Sequence, residues 1–111
     1  MLHPETGRLL VYASSFVSRE NRLKLVSSAA EKMAALLKMQ VEVRTFRDKF
    51  TPIYVYYKYG DEEPIPLYCN NGEELKVEDA YATLRRMMFV LSFHPRHSAL
   101  RQARKLIIRA S

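Results

Sequence analysis

Residues 53–59 constrain this chain more than any other stretch. Ile53-Tyr54-Val55-Tyr56-Tyr57-Lys58-Tyr59 is β-branched or aromatic at every position but one. Such side chains pack well on a pleated surface and lose rotamer freedom in a helix. The run is a strand. Gly60-Asp61-Glu62-Glu63 follows as a turn, and Pro64-Ile65-Pro66-Leu67-Tyr68-Cys69 returns as the hairpin partner. Neither Pro64 nor Pro66 has an N–H to give a ladder, so the returning strand must lie at a sheet edge. Alternation puts Tyr54 and Tyr56 on one face and Ile53, Val55 and Tyr57 on the other, and leaves open which set meets the core.

Around this hairpin the pattern changes period. Arg8-Leu9-Leu10-Val11-Tyr12-Ala13 has the length of a short strand, and Ser14 to Ser18 connect it to a helix. From Arg19 to about Met39, Leu23, Val26, Ala29, Ala30, Met33, Leu36 and Leu37 recur at helical spacing, with Ser18 as the N-cap. Gln40-Val41-Glu42-Val43-Arg44-Thr45-Phe46 alternates polar and apolar and predicts a half-buried strand. After the turn Asn70-Asn71-Gly72, a second helix runs from Val77 to Leu91, striped by Ala80, Leu84, Met87, Met88 and Leu91 and stopped by His94-Pro95. Ser98 caps a third, over 99–109, with Leu100, Ala103, Leu106 and Ile107 on one side. The order β-α-β-β-β-α, with one right-handed parallel crossover and one antiparallel hairpin, predicts a two-layer α/β (α+β) sandwich around a four-stranded mixed sheet. At 111 residues, this is one domain with its own core.

That element order resembles the thioredoxin-like fold. Pro52 stands immediately before the hairpin strand, where that fold commonly keeps a cis-proline. Pro52, the alternating strand, Tyr59-Gly60 and the return to Asn70-Asn71 are similar to the pattern of one mitochondrial family. Its members are mitochondrial ribosomal proteins and a small accessory subunit of respiratory complex I (NADH dehydrogenase). Ser18-Arg19-Glu20-Asn21-Arg22-Leu23 resembles the same family's first-helix segment, with Glu20 where a glycine is usual. The resemblance covers roughly residues 8–92. It implies a non-catalytic structural subunit in the mitochondrial matrix, with ribosomal RNA and neighbouring proteins as partners, Arg19 and Arg22 among its contacts, and Pro52 and Gly60 as structural residues.

Catalytic chemistry finds no foothold. A thiol oxidoreductase of this fold needs a cysteine at the tip of its first helix, and that tip reads Ser14-Ser15-Phe16-Val17-Ser18. The single Cys69 falls in the edge strand. His94 and His97 are separated by a helix-stopping Pro95, without a cysteine or carboxylate nearby, so no metal site is expected. Asp61-Glu62-Glu63 and Glu73-Glu74 are turn charge, without the ligand spacing of a calcium loop. The three glycines are scattered, so no phosphate-cradling loop forms. No cofactor, small-molecule substrate or membrane span is expected. The start Met1-Leu2-His3-Pro4-Glu5 resembles neither a secretory signal nor a conventional mitochondrial presequence. The face carrying Tyr54, Tyr56 and Tyr68 is a candidate for base stacking, with packing or protein contact favoured.

The charge is sharply partitioned. The last carboxylate is Asp79, and residues 80–111 carry seven cations: Arg85, Arg86, Arg96, Arg101, Arg104, Lys105 and Arg109. A helix without interspersed glutamates has no i,i+4 partners for its cations, which points to a polyanion. Arg85, Arg86, Arg96, His97, Arg101, Arg104, Lys105 and Arg109 are therefore the expected RNA or partner contacts. The expected division is a domain over 1–93 and a basic helical extension over 94–111 that the fold does not need. The alternatives to a ribosomal subunit are the complex I accessory subunit, making protein contacts only, and a free-standing RNA-binding domain.

Overall fold

A computed structural model describes residues 7–17, 20–94 and 100–109, the backbone alone for 101–103. The elements are β1 (Arg8–Ser14), α1 (Asn21–Leu37), β2 (Gln40–Phe46), β3 (Ile53–Lys58), β4 (Ile65–Asn70), α2 (Val77–Leu91) and α3 (Arg101–Arg109). The sheet runs β2-β1-β3-β4. β1 is parallel to β2 and antiparallel to β3, and β3 is antiparallel to β4. This is the mixed four-stranded sheet expected from the element order. The proline-bearing β4 takes one edge.

The helices lie on one face. Leu9, Val11, Ala13, Ile53, Val55 and Tyr57 from the sheet meet Val26, Ala29, Ala30 and Met33 of α1 and Ala80, Leu84 and Met88 of α2 in a single core. That settles the alternation in β3: Ile53, Val55 and Tyr57 face the helices, and Tyr54 and Tyr56 face away. Tyr68 pairs with Val55 and packs against the core cluster, so it belongs to the helix side, in keeping with the packing role favoured for it, and not to the face of Tyr54 and Tyr56. Residues 94–111, expected to be dispensable to the fold, instead send Leu100 and Ile107 into this core.

Other differences are local. The bond before Pro52 is trans, as is every peptide bond among the described residues. Glu20 occupies the N-cap of α1 without a side-chain capping bond; the expected cap, Ser18, lies outside the described residues, as does Ser98. The other end of α1 stops at Lys38, whose left-handed φ of 57° turns the chain so that the Met39 N–H donates to Ala34 O at 2.8 Å. β2 is far more open than its alternation suggested, with Val43 45% exposed. Edge position explains this, because only β1 covers one side of it.

Asn70 ties the end of β4 to the start of α1. Its side chain is buried, Arg22 Nη1 donates to its Oδ1 at 3.0 Å and to its backbone carbonyl at 3.2 Å, and the Gly72 N–H donates to the same Oδ1 at 3.0 Å. Replacing Asn70 with Ala leaves the Gly72 N–H without its acceptor and takes one hydrogen bond from Arg22, which is expected to cost about 2 kcal/mol. The urea midpoint measures this, and a midpoint equal to that of the parent would remove Asn70 from the structural framework.

Candidate nucleic-acid interface

α2 begins with Glu78 and Asp79 in its first turn, where carboxylates favour the positive end of the helix dipole. All its later charges are basic. Its inward stripe is buried in the core, so Arg85 and Arg86 emerge on the side next to α3. Arg85 is half-buried, with its guanidinium 6.0 Å from the Tyr81 ring centroid; Lys32 of α1 sits 4.4 Å over the same ring. Arg86 is exposed. Where α2 meets α3, Ala82, Arg85, Arg86 and Phe89 face Ile107 and Ile108 across an open cleft of about 260 Å³.

α3 presents both basic and apolar side chains outward. Ile107 is buried, while Lys105, Ile108 and Arg109 are exposed. Val90, Phe93 and Ile108 are each more than half exposed, so the cations stand among uncovered apolar side chains. This surface has two kinds of contact to offer a polyanion with flat rings: charge for phosphate and apolar area for bases.

Not every expected contact residue belongs to it. Arg104 turns inward: its Nη2 donates to the Ser92 carbonyl at 2.8 Å, its Nε to Ser92 Oγ at 3.2 Å, and its guanidinium lies 3.6 Å from the Phe93 ring centroid. It fastens α3 to the end of α2. Arg22 is held by Asn70 and by Glu20 at 3.1 Å, with a side chain only 10% exposed. Both are structural cations. The side chain of Arg101 is not described, and Arg19, Arg96 and His97 lie outside the described residues. Of the expected set, Arg85 and Arg86 line the cleft between α2 and α3, and Lys105 and Arg109 are exposed on α3. Gly60 sits in the β3–β4 turn at a φ of +56°, with nothing near the position a Cβ would occupy. Pro52 is half-buried just ahead of β3.

The sheet face away from the helices carries a second grouping that the sequence indicated only in part. Tyr12 joins Tyr56 and Phe46 at ring-centroid distances of 5.1 and 5.6 Å, and Tyr54 stands 6.0 Å from Tyr56. Burial among these rings raises the phenol pKa of Tyr56. Glu42 accepts two bonds from Arg44 at 3.1 Å and pairs with Arg8 at 3.7 Å. The Arg44 hydrogen bonds hold its carboxyl below the usual range. Tyr12 and Phe46 were not legible as part of this face, because their membership depends on the β1–β2 and β1–β3 registers.

Cys69 is exposed, its Sγ lies 3.4 Å from Asn71 Oδ1, and partial burial and then Glu73 raise its pKa. That is the reverse of what a nucleophilic thiol requires. Among the described residues no group of His, Cys, Asp and Glu is placed to hold a metal ion, and no described helix is long and apolar enough to cross a membrane. Comparison with protein-family models, with curated proteins and with solved structures finds no match.

Proposed function

We propose that this chain is a non-catalytic structural subunit of a ribonucleoprotein, contacting RNA through the basic surface of α2 and α3, and that the assembly is the mitochondrial ribosome. One observation carries the RNA contact. The acid-free stretch after Asp79 folds into two adjacent helices, with Arg85 and Arg86 lining the cleft between them, Lys105 and Arg109 exposed on α3, and no carboxylate from either helix beyond the first turn of α2. The choice of assembly rests on the family resemblance of residues 8–92.

Such a surface binds by releasing counterions, so affinity falls steeply with salt and varies little with sequence. Fluorescence anisotropy with a mixed-sequence single-stranded RNA tests it. Replacing Arg85, Arg86, Lys105 and Arg109 with Gln is expected to weaken binding about tenfold or more and to flatten the log–log salt slope by roughly 0.7 for each phosphate no longer neutralised. Parent-like affinity and slope would overturn the assignment. The exposed apolar Val90, Phe93 and Ile108 also favour a second reading, an accessory subunit of respiratory complex I making protein contacts alone. Co-sedimentation from cell extract with ribosomal particles supports the first, and with a membrane respiratory complex the second.

A further inference from the structure

The two edges of the sheet are built differently. β4 is interrupted by Pro66 and preceded by Pro64, and its pairing with β3 slips at Val55 and Tyr56; these are devices that stop a further strand from adding. β2 has no proline, no bulge and no lysine, and pairs with β1 in unbroken register from Gln40 to Phe46. No described element packs on its outer side. Val43 and Phe46 are large apolar residues left 45% and 44% exposed.

The direction of the free backbone groups follows from the ladder. The Ser15 N–H donates to Phe46 O at 2.7 Å, continuing the parallel ladder past Ser14. In a parallel ladder alternate residues of one strand bond to a given neighbour. Gln40, Glu42, Arg44 and Phe46 therefore bond to β1, while Val41, Val43 and Thr45 aim N–H and C=O outward. The sequence around Val43 is also self-complementary in charge. If the strand is turned about Val43, Glu42 comes opposite Arg44 and Val41 opposite Thr45.

We propose that β2 pairs antiparallel with β2 of a second copy of this chain, centred on Val43, so that two four-stranded sheets become one. Val43 meets Val43 of the partner subunit as a hydrogen-bonded pair, using the outward N–H and C=O of each. Glu42 and Arg44 of the partner subunit then occupy non-hydrogen-bonded positions, where cross-strand side chains lie closest. Each Glu42 sits between its own Arg44 and the one opposite. The half-exposed Val43 side chains close on each other beside α1. This pairing uses none of the residues proposed for the RNA surface, and α2, which carries Arg85 and Arg86, lies over β4 at the other end of the sheet.

Sedimentation velocity of the full chain across a concentration series tests this, in reductant so that Cys69 cannot link copies. A species of twice the 13.0 kDa chain mass is expected. Val43→Pro removes an N–H that β1 does not use, so the circular dichroism spectrum should persist while dimerisation weakens about a hundredfold or more. Glu42→Arg puts like charges opposite each other twice by symmetry and should weaken it about tenfold, and adding Arg44→Glu should restore it. The charge pair carries the test if Val43→Pro disturbs the fold. A chain that stays monomeric throughout, a dimer indifferent to these changes, or a double reversal without recovery would each overturn the proposal. Val43→Pro should leave RNA affinity unchanged, so the two readings fail separately.

Discussion

Deleting residues 94–111 is expected to remove several kcal/mol of stability and to leave the remaining chain only partly folded at ambient temperature. Leu100 is fully buried and Ile107 nearly so. Burying such side chains contributes about 1.5–3 kcal/mol each. Arg104 adds two hydrogen bonds to Ser92 and a stacking contact with Phe93, and the deletion exposes the parts of α1 and α2 that α3 covers. A domain of this size has only about 5–15 kcal/mol in hand. Urea denaturation of the truncated and full chains measures the loss, and an unchanged midpoint would show that α3 only rests on the domain. Loss of RNA binding on truncation would therefore not identify the contact. This is why the four-residue Gln variant is the sharper test of the basic surface.

Gly7→Ala is expected to cost about 3 kcal/mol, the largest effect among the three glycine-to-alanine changes. Gly7 has a φ of +102°, and a Cβ there would lie 2.6 Å from Cε1 of Tyr57 and 2.8 Å from the Lys58 carbonyl. Tyr57 is fully buried and the carbonyl belongs to a strand, so neither yields easily. Gly60→Ala is the control. Gly60 also has positive φ, but a Cβ there meets nothing within 4 Å, so only the backbone term of about 1 kcal/mol applies. Thermal or chemical unfolding of the pair separates crowding from conformation; equal losses would mean that the contact with Tyr57 relaxes freely.

These effects show where the chain is readable and where it is not. Strand β3, the turn at Gly60 and the edge placement of β4 follow from local chemistry: branched and aromatic side chains, a residue tolerant of positive φ, and prolines without an N–H. The stripes of α1 and α2 are equally plain. Which face of β3 meets the helices is not, since Tyr54 and Tyr57 differ only in what packs above them. Strand alternation alone does not tell the face of Tyr68; its pairing with Val55 does. Arg104 and Arg22 carry the same charge as Arg86. Only tertiary contacts with Ser92 and Asn70 make the first two structural, and sequence holds no sign of that. The basic surface is visible as composition, and its reduction to Arg85, Arg86, Lys105 and Arg109 requires the packing of α3 on α2.

The docking of α3 against both α1 and α2 also sets when this protein can become itself. During synthesis β1, α1 and β2 emerge before β3, α2 and α3, so at that stage one side of β1 has no strand to pair with. β3 must then pair with β1 across more than forty intervening residues, and α3 closes over helices made long before. Contacts so distant along the chain slow folding, and each interval leaves apolar surface uncovered. The core thus depends on α3, which follows in sequence both helices that it packs against. The core is complete only once α3 is in place, and the same step brings in Arg104, Lys105 and Arg109.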